Sequence, residues 1–114
     1  MLTVESLKAF GANTDEGIKR CAGMENFYLN LVRRSLDDAK FDQLRSAVNA
    51  KDYEKAFEIV HSMKGVFANL SLDPVLKPIE KITDLLRNKS DADYGELLDE
   101  AEKSVRKLEA LVKE

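Results

Sequence analysis

From Asp52 to Leu70 the chain reads DYEKAFEIVHSMKGVFANL, and its apolar residues recur with the period of an α-helix. At about 100° of rotation per residue, Tyr53, Ala56, Phe57, Ile59, Val60, Met63, Val66, Phe67 and Leu70 share one half of the circumference. A helix with such a face has to bury it against other elements. On the same wheel His61 falls roughly 40° beyond Phe57, at the edge of the apolar arc. The core then backs its root while its ring reaches water. Its neighbours by the i, i+3 and i, i+4 rule are Phe57, Glu58, Lys64 and Gly65, with Ala68 two turns along. A cation therefore stands beside the chain's only histidine, and the next turns on that side carry little bulk.

Gly65 sharpens the pattern. A glycine inside a helix costs about 0.5–1 kcal/mol relative to alanine, and the apolar periodicity runs straight through this one. Two causes stay open from the wheel: access for another molecule to the imidazole, or close packing of a neighbouring helix against Gly65.

The flanking chain repeats the helical period. Thr3 is placed to cap a short helix through Phe10 that ends at Gly11, and Asp15 to cap a second that ends before Gly23. From Met24 to about Asp38, Phe27 and Leu31, then Tyr28, Val32 and Leu36, repeat at three and four residues; Phe41, Leu44 and Val48 mark a helix over roughly 41–50. Asp52 caps the histidine helix. Ser71 or Asp73 is placed to cap the next, with Pro74 at its first helical position. That helix carries Val75, Ile79, Ile82 and Leu86 to about Asn88, and Pro78 either begins or kinks it. After a polar loop, Asp91 or Asp93 caps a long last helix with Tyr94, Leu97, Leu98, Ala101, Val105, Leu108 and Val112 on one stripe. No segment alternates with period two over more than a few residues. The expected fold is all-α: an antiparallel four-helix bundle over 24–114 with short additional N-terminal helices over 1–23, in a single domain of 114 residues.

Composition narrows the function classes. Apolar residues make up 44% and charged residues 34% of the chain, the balance of a soluble globular protein. No apolar run approaches the roughly 18 residues that a membrane span requires, and MLTVESLKAF lacks the order of a signal peptide, so the expected location is cytoplasmic. The net charge of −3 argues against nucleic acid, which needs clustered Lys and Arg in excess. A single cysteine, Cys21, has no thiol partner for a disulfide or zinc site and reads as a small core residue.

Several chemistries fall away in turn. Glu58-x-x-His61 is the spacing of carboxylate-bridged di-iron bundles, but those sites need two such pairs and this chain has one histidine. Ser62 projects roughly 100° from His61 on the wheel, and no glycine-flanked serine elbow is present. Nucleotide-binding glycine loops are missing.

The residues that remain, His61-Ser62-Met63-Lys64-Gly65 followed by Ala68-Asn69-Leu70, resemble the HTLKG...ANLG segment of the histidine-containing phosphotransfer (HPt) domains of two-component phosphorelays. The similarity extends back through Asp52–Ala56, Asn26-Phe27-Tyr28 and Asp15-Glu16-Gly17, and forward to Val75 and Ile82. Val66 and Phe67 stand where that family often has small residues, Ser71 where glycine is frequent, and Thr83 where glutamate is common.

The resemblance implies that His61 accepts a phosphoryl group from a receiver-domain aspartyl phosphate and returns it to another receiver's aspartate. A neutral imidazole is a competent nucleophile near neutral pH, and Lys64 would supply a point charge to the phosphoryl oxygens. Phe57, Gly65 and Ala68 would form the docking surface. Glu58 either orients the distal ring nitrogen or is a solvated acid. By the same resemblance the chain would be a monomeric phosphocarrier without kinase activity of its own, acting between response-regulator receivers and hybrid sensor histidine kinases. No cofactor would be held in the chain; a divalent metal such as Mg2+ would belong to the receiver. The competing expectation is a noncatalytic helical adaptor that docks receivers without being phosphorylated.

Overall fold

The computed structural model describes residues 2–113, and of Asp38 the backbone alone. Seven α-helices are found among the described residues: α1 (Val4–Phe10), α2 (Thr14–Arg20), α3 (Glu25–Ser35), α4 (Phe41–Asn49), α5 (Tyr53–Asn69), α6 (Asp73–Arg87) and α7 (Tyr94–Lys113). A 3-10 turn, Leu36–Asp38, continues α3, so the helix expected from Met24 to Asp38 tightens over its last residues. Strands are absent among the described residues.

Side-chain caps mark the starts of four of the seven described helices. Thr3 and Ser6 form a reciprocal capping box at 3.0 and 2.9 Å, and Gly11, at φ +112°, ends α1. α2 is capped by Asn13 and not by Asp15: the Asn13 side chain accepts from the Glu16 amide at 3.3 Å, while the Asn13 backbone N–H donates to the Ser71 carbonyl at 3.0 Å. That second bond pins the start of α2 to the turn after α5, which places Asp15 inside the first turn. Asp52 caps α5 through the Lys55 amide, and Asp93 caps α7 through the Glu96 amide, each at 3.3 Å.

The end of α5 departs from expectation. Ser71 does not cap α6; it lies in the left-handed region at φ +54° and closes α5. Its amide donates to the Ala68 carbonyl at 3.1 Å and that of Leu72 to the Phe67 carbonyl at 3.0 Å, the paired bonds of a Schellman motif. A left-handed residue there is ordinarily glycine, and Ser71 takes the position with a side chain. Leu72 occupies the cap position of α6 without a side-chain bond, Asp73 is its first residue and Pro74 its second. α6 runs on through the buried Pro78, so that proline does not begin it.

α4 packs on α5 and α7, and α6 packs on α5 and α7, so these four helices close a ring. Val60, Met63, Phe67, Val75, Ile79, Ile82, Ala101 and Leu108 fill it without exposure. Cys21 is buried as expected. α1 and α2 lie outside the ring: α1 contacts α7 and α2, and α2 contacts α3.

The attachment of α2 and α3 to the ring is close. Tyr28, fully buried, donates from its hydroxyl to the Leu70 carbonyl at 2.9 Å. That bond sets the rotation of α3 so that Tyr28 and Val32 face inward. Phe27, about 100° away on the wheel, is left 47% exposed beside Met24 at 54%, contrary to the repeat that grouped it with the buried face. A Cβ at Gly17 would lie 2.4 Å from the Tyr28 ring and 2.9 Å from the Leu70 carbonyl oxygen, so α2 approaches only because residue 17 has no side chain.

Gly17→Ala is therefore expected to destabilise the fold by about 1–3 kcal/mol, as overpacked substitutions do, read by chemical denaturation. Burial, with Cys21 and Asp73 adding to it, pushes the Tyr28 phenol up from 10.0 to about 12. The folded protein therefore holds that proton more tightly than the unfolded chain. Its contribution is complete below pH 10 and is lost as pH rises toward 12. Tyr28→Phe should flatten that alkaline loss by an amount on the order of 2 kcal/mol, measured as unfolding free energy against pH. At neutral pH the same variant should lose about 1–3 kcal/mol through the unsatisfied Leu70 carbonyl.

Candidate functional site

α5 is held from one side. Ala56, Val60, Met63 and Phe67 are fully buried, each contributing on the order of 1–3 kcal/mol of apolar burial for the larger side chains. His61, mid-helix between Val60 and Met63, is exposed together with Glu54, Glu58, Ser62 and Gly65. Phe57, Lys64 and Ala68 are half-buried along the border. The five expected site residues thus share one stripe of α5.

The imidazole rests on the Phe57 ring, with centroids 5.6 Å apart and planes inclined at 38°. The Arg87 guanidinium, from the last residue of α6, lies 5.8 Å over the same Phe57 ring. Glu58 makes no ion pair with His61 among the described residues. Lys64 has no carboxylate within salt-bridge distance among them either.

Gly65 resolves one alternative left open by the wheel. A Cβ built there meets nothing within 4 Å, so no neighbouring helix packs against it. The surface one turn beyond the imidazole is open. Farther along, the Ala68 carbonyl accepts a hydrogen bond from Arg20 of α2, itself paired with Glu16 at 3.5 Å. The N-terminal helices therefore border the same stripe at its C-terminal end.

A cleft of about 270 Å³ opens between α5 and α6 at the other end, lined by Tyr53, Glu54, Phe57, Glu58, Leu86, Arg87 and Lys89. Arg87 and Arg20 escape a reading of the sequence because each reaches the stripe across a helix–helix packing distance, which no local spacing encodes.

Chemically the stripe offers one exposed imidazole, one ammonium without an ion pair among the described residues and open space at Gly65. Cys21 is buried and Ser62 lies off the stripe, so neither joins His61 as a nucleophile–base pair. No cluster of three or more His, Cys, Asp or Glu side chains able to hold a metal ion occurs among the described residues.

Because Gly65 has open space around it, Gly65→Ala is expected to stabilise the isolated protein by about 0.5–1 kcal/mol, the helix-propensity difference. Denaturant titration of the two proteins checks this; a loss of stability would mean that the position is packed after all.

The family model for the Hpt domain matches residues 28–113. No curated protein and no solved structure matches the chain. The matched segment spans the ring of helices and contains the entire His61 stripe, and by that match the chain belongs to the Hpt domain family.

Proposed function

We propose that His61 is the phosphoacceptor of a phosphorelay intermediate. The observation that carries this reading is the open surface at Gly65 beside an exposed imidazole. Membership of the Hpt family makes the chain a phosphocarrier of two-component signalling and not a kinase, in a family that works with receiver domains and kinases. No helix among the described residues is long and apolar enough to cross a membrane.

In the forward step an unprotonated ring nitrogen of His61 attacks the phosphorus of a receiver's aspartyl phosphate. The nitrogen–phosphorus bond forms from the nitrogen lone pair. The phosphorus–oxygen bond breaks, and its electron pair leaves with the aspartate carboxylate. The other ring nitrogen keeps its proton, so the phosphoryl group ends on a cationic imidazole, and the return step reverses these changes. Lys64, one turn away, supplies charge to the phosphoryl oxygens without taking a proton. Such transfer depends on alignment and charge more than on acid–base groups.

Phe57, Gly65 and Ala68 would form the docking surface, and an antiparallel arrangement of α4 to α7 would be the bundle that presents it. Catalytic metal such as Mg2+ is assigned to the receiver. The reading takes the chain as a cytoplasmic monomer serving a hybrid sensor kinase and a response regulator, and leaves Glu58 as a solvated acid.

Incubation with a phosphorylated receiver should give acid-labile phosphate on the wild type and none on His61→Gln, with receiver binding retained by both. Lys64→Ala should slow transfer about tenfold or more, as loss of one charge-stabilising group does. A wild type that binds receivers yet takes up no label would establish the noncatalytic adaptor instead.

A further inference from the structure

We infer that Arg87 is a positioning residue for His61, acting through the Phe57 ring; this rests on the phosphoacceptor reading above. Three observations converge on it. The centroid of the imidazole lies 5.6 Å from that of the Phe57 ring, and the Arg87 guanidinium lies 5.8 Å from the same Phe57 centroid. Arg87 is itself steered by Asp84, whose carboxylate accepts from it at 3.1 Å. Its side chain is 54% exposed, free to extend into water, yet it lies within the range in which a cation is drawn to an aromatic face.

The chemistry gives this arrangement a purpose. Rotation about the last torsion of a histidine is broad and poorly restrained by its own backbone. No carboxylate pairs with the His61 ring among the described residues, so the tilted contact with Phe57 is the restraint on its plane. Attack on phosphorus needs the nitrogen lone pair in line with the breaking bond, and misalignment of the ring lowers the rate without changing affinity. Phe57 stands half-buried on the border of the core, and the Arg87 guanidinium from α6 lies over its ring, so that the α5–α6 packing dictates the direction of the nucleophile. Lys64 and Arg87 have separate tasks: the first lies toward the C-terminal end of α5 from the imidazole and addresses the phosphoryl oxygens, and the second holds the ring support.

The test compares the full-length wild type with Arg87→Ala, Arg87→Lys, Phe57→Leu and Arg87→Ala in the Phe57→Leu background. Two readouts are needed: the His61 ring resonances of the unphosphorylated protein by NMR, and single-turnover transfer from a phosphorylated receiver over a range of receiver concentrations. Arg87→Ala should move the His61 ring resonances and lower the maximal transfer rate about two- to tenfold, the scale of weak ring contacts. The half-saturating receiver concentration should stay within about twofold, since the loss is in alignment rather than uniform binding. Arg87→Lys should recover most of the rate, and Arg87→Ala should have no further effect once Phe57 is Leu. Unchanged ring resonances, an unchanged maximal rate, or an effect confined to the half-saturating concentration would overturn the inference. If the wild type accepts no phosphate while Arg87→Ala still moves the ring resonances, the phosphoacceptor reading fails and the ring arrangement stands. If the wild type is phosphorylated and Arg87→Ala changes neither readout, the reverse holds.

Discussion

One-sided burial of α5 is the constraint on which the rest of this structure depends. Ala56, Val60, Met63 and Phe67 lock one face of the helix into the ring made with α4, α6 and α7. His61 follows Val60 directly, so the packing that holds Val60 also fixes how far the histidine stands out. The imidazole is presented by a rigid helix and not by a loop, which gives a transient partner a prearranged target. The Schellman closure at Ser71 and Leu72 ends the helix at a defined point, and Asn13 and Tyr28 fasten the N-terminal helices to that same turn.

Two helical glycines show opposite uses of the missing side chain. Gly17 lets α2 approach Tyr28 and the Leu70 carbonyl, and any Cβ would enter occupied space. Gly65 touches nothing, so its helix-propensity cost is not offset by packing within this chain. A cost without an internal return is what a surface shaped for another molecule would show. The border residues differ as well: Phe57 is tied through Arg87 to α6, while Ala68 is tied through its carbonyl to Arg20 of α2.

Much of this was legible in the linear pattern, because helical periodicity and caps are local signals. The wheel position of His61, the buried face with Phe67 in it, and the caps at Thr3, Asp52 and Asp93 all depend on residues within a few positions of each other. Structure and linear pattern differ where a distant contact decides a local choice. Asn13 displaced Asp15 as a cap because its amide reaches Ser71. Ser71 closed α5 instead of opening α6 because Leu72 had to be buried beyond it. Phe27 was turned outward by the Tyr28 hydroxyl bond to Leu70. The same limit hid Arg87 at the site, since only the folding of α6 against α5 brings it over Phe57.

The account stands on the gap at Gly65 being space kept for a partner. The most direct measurement is the rate of phosphoryl transfer from a phosphorylated receiver to Gly65→Leu, run beside its unfolding free energy. The account predicts a fold at least as stable as the wild type and transfer slowed by an order of magnitude or so, as a leucine side chain obstructs close approach. Transfer at the wild-type rate with the gap filled would contradict it.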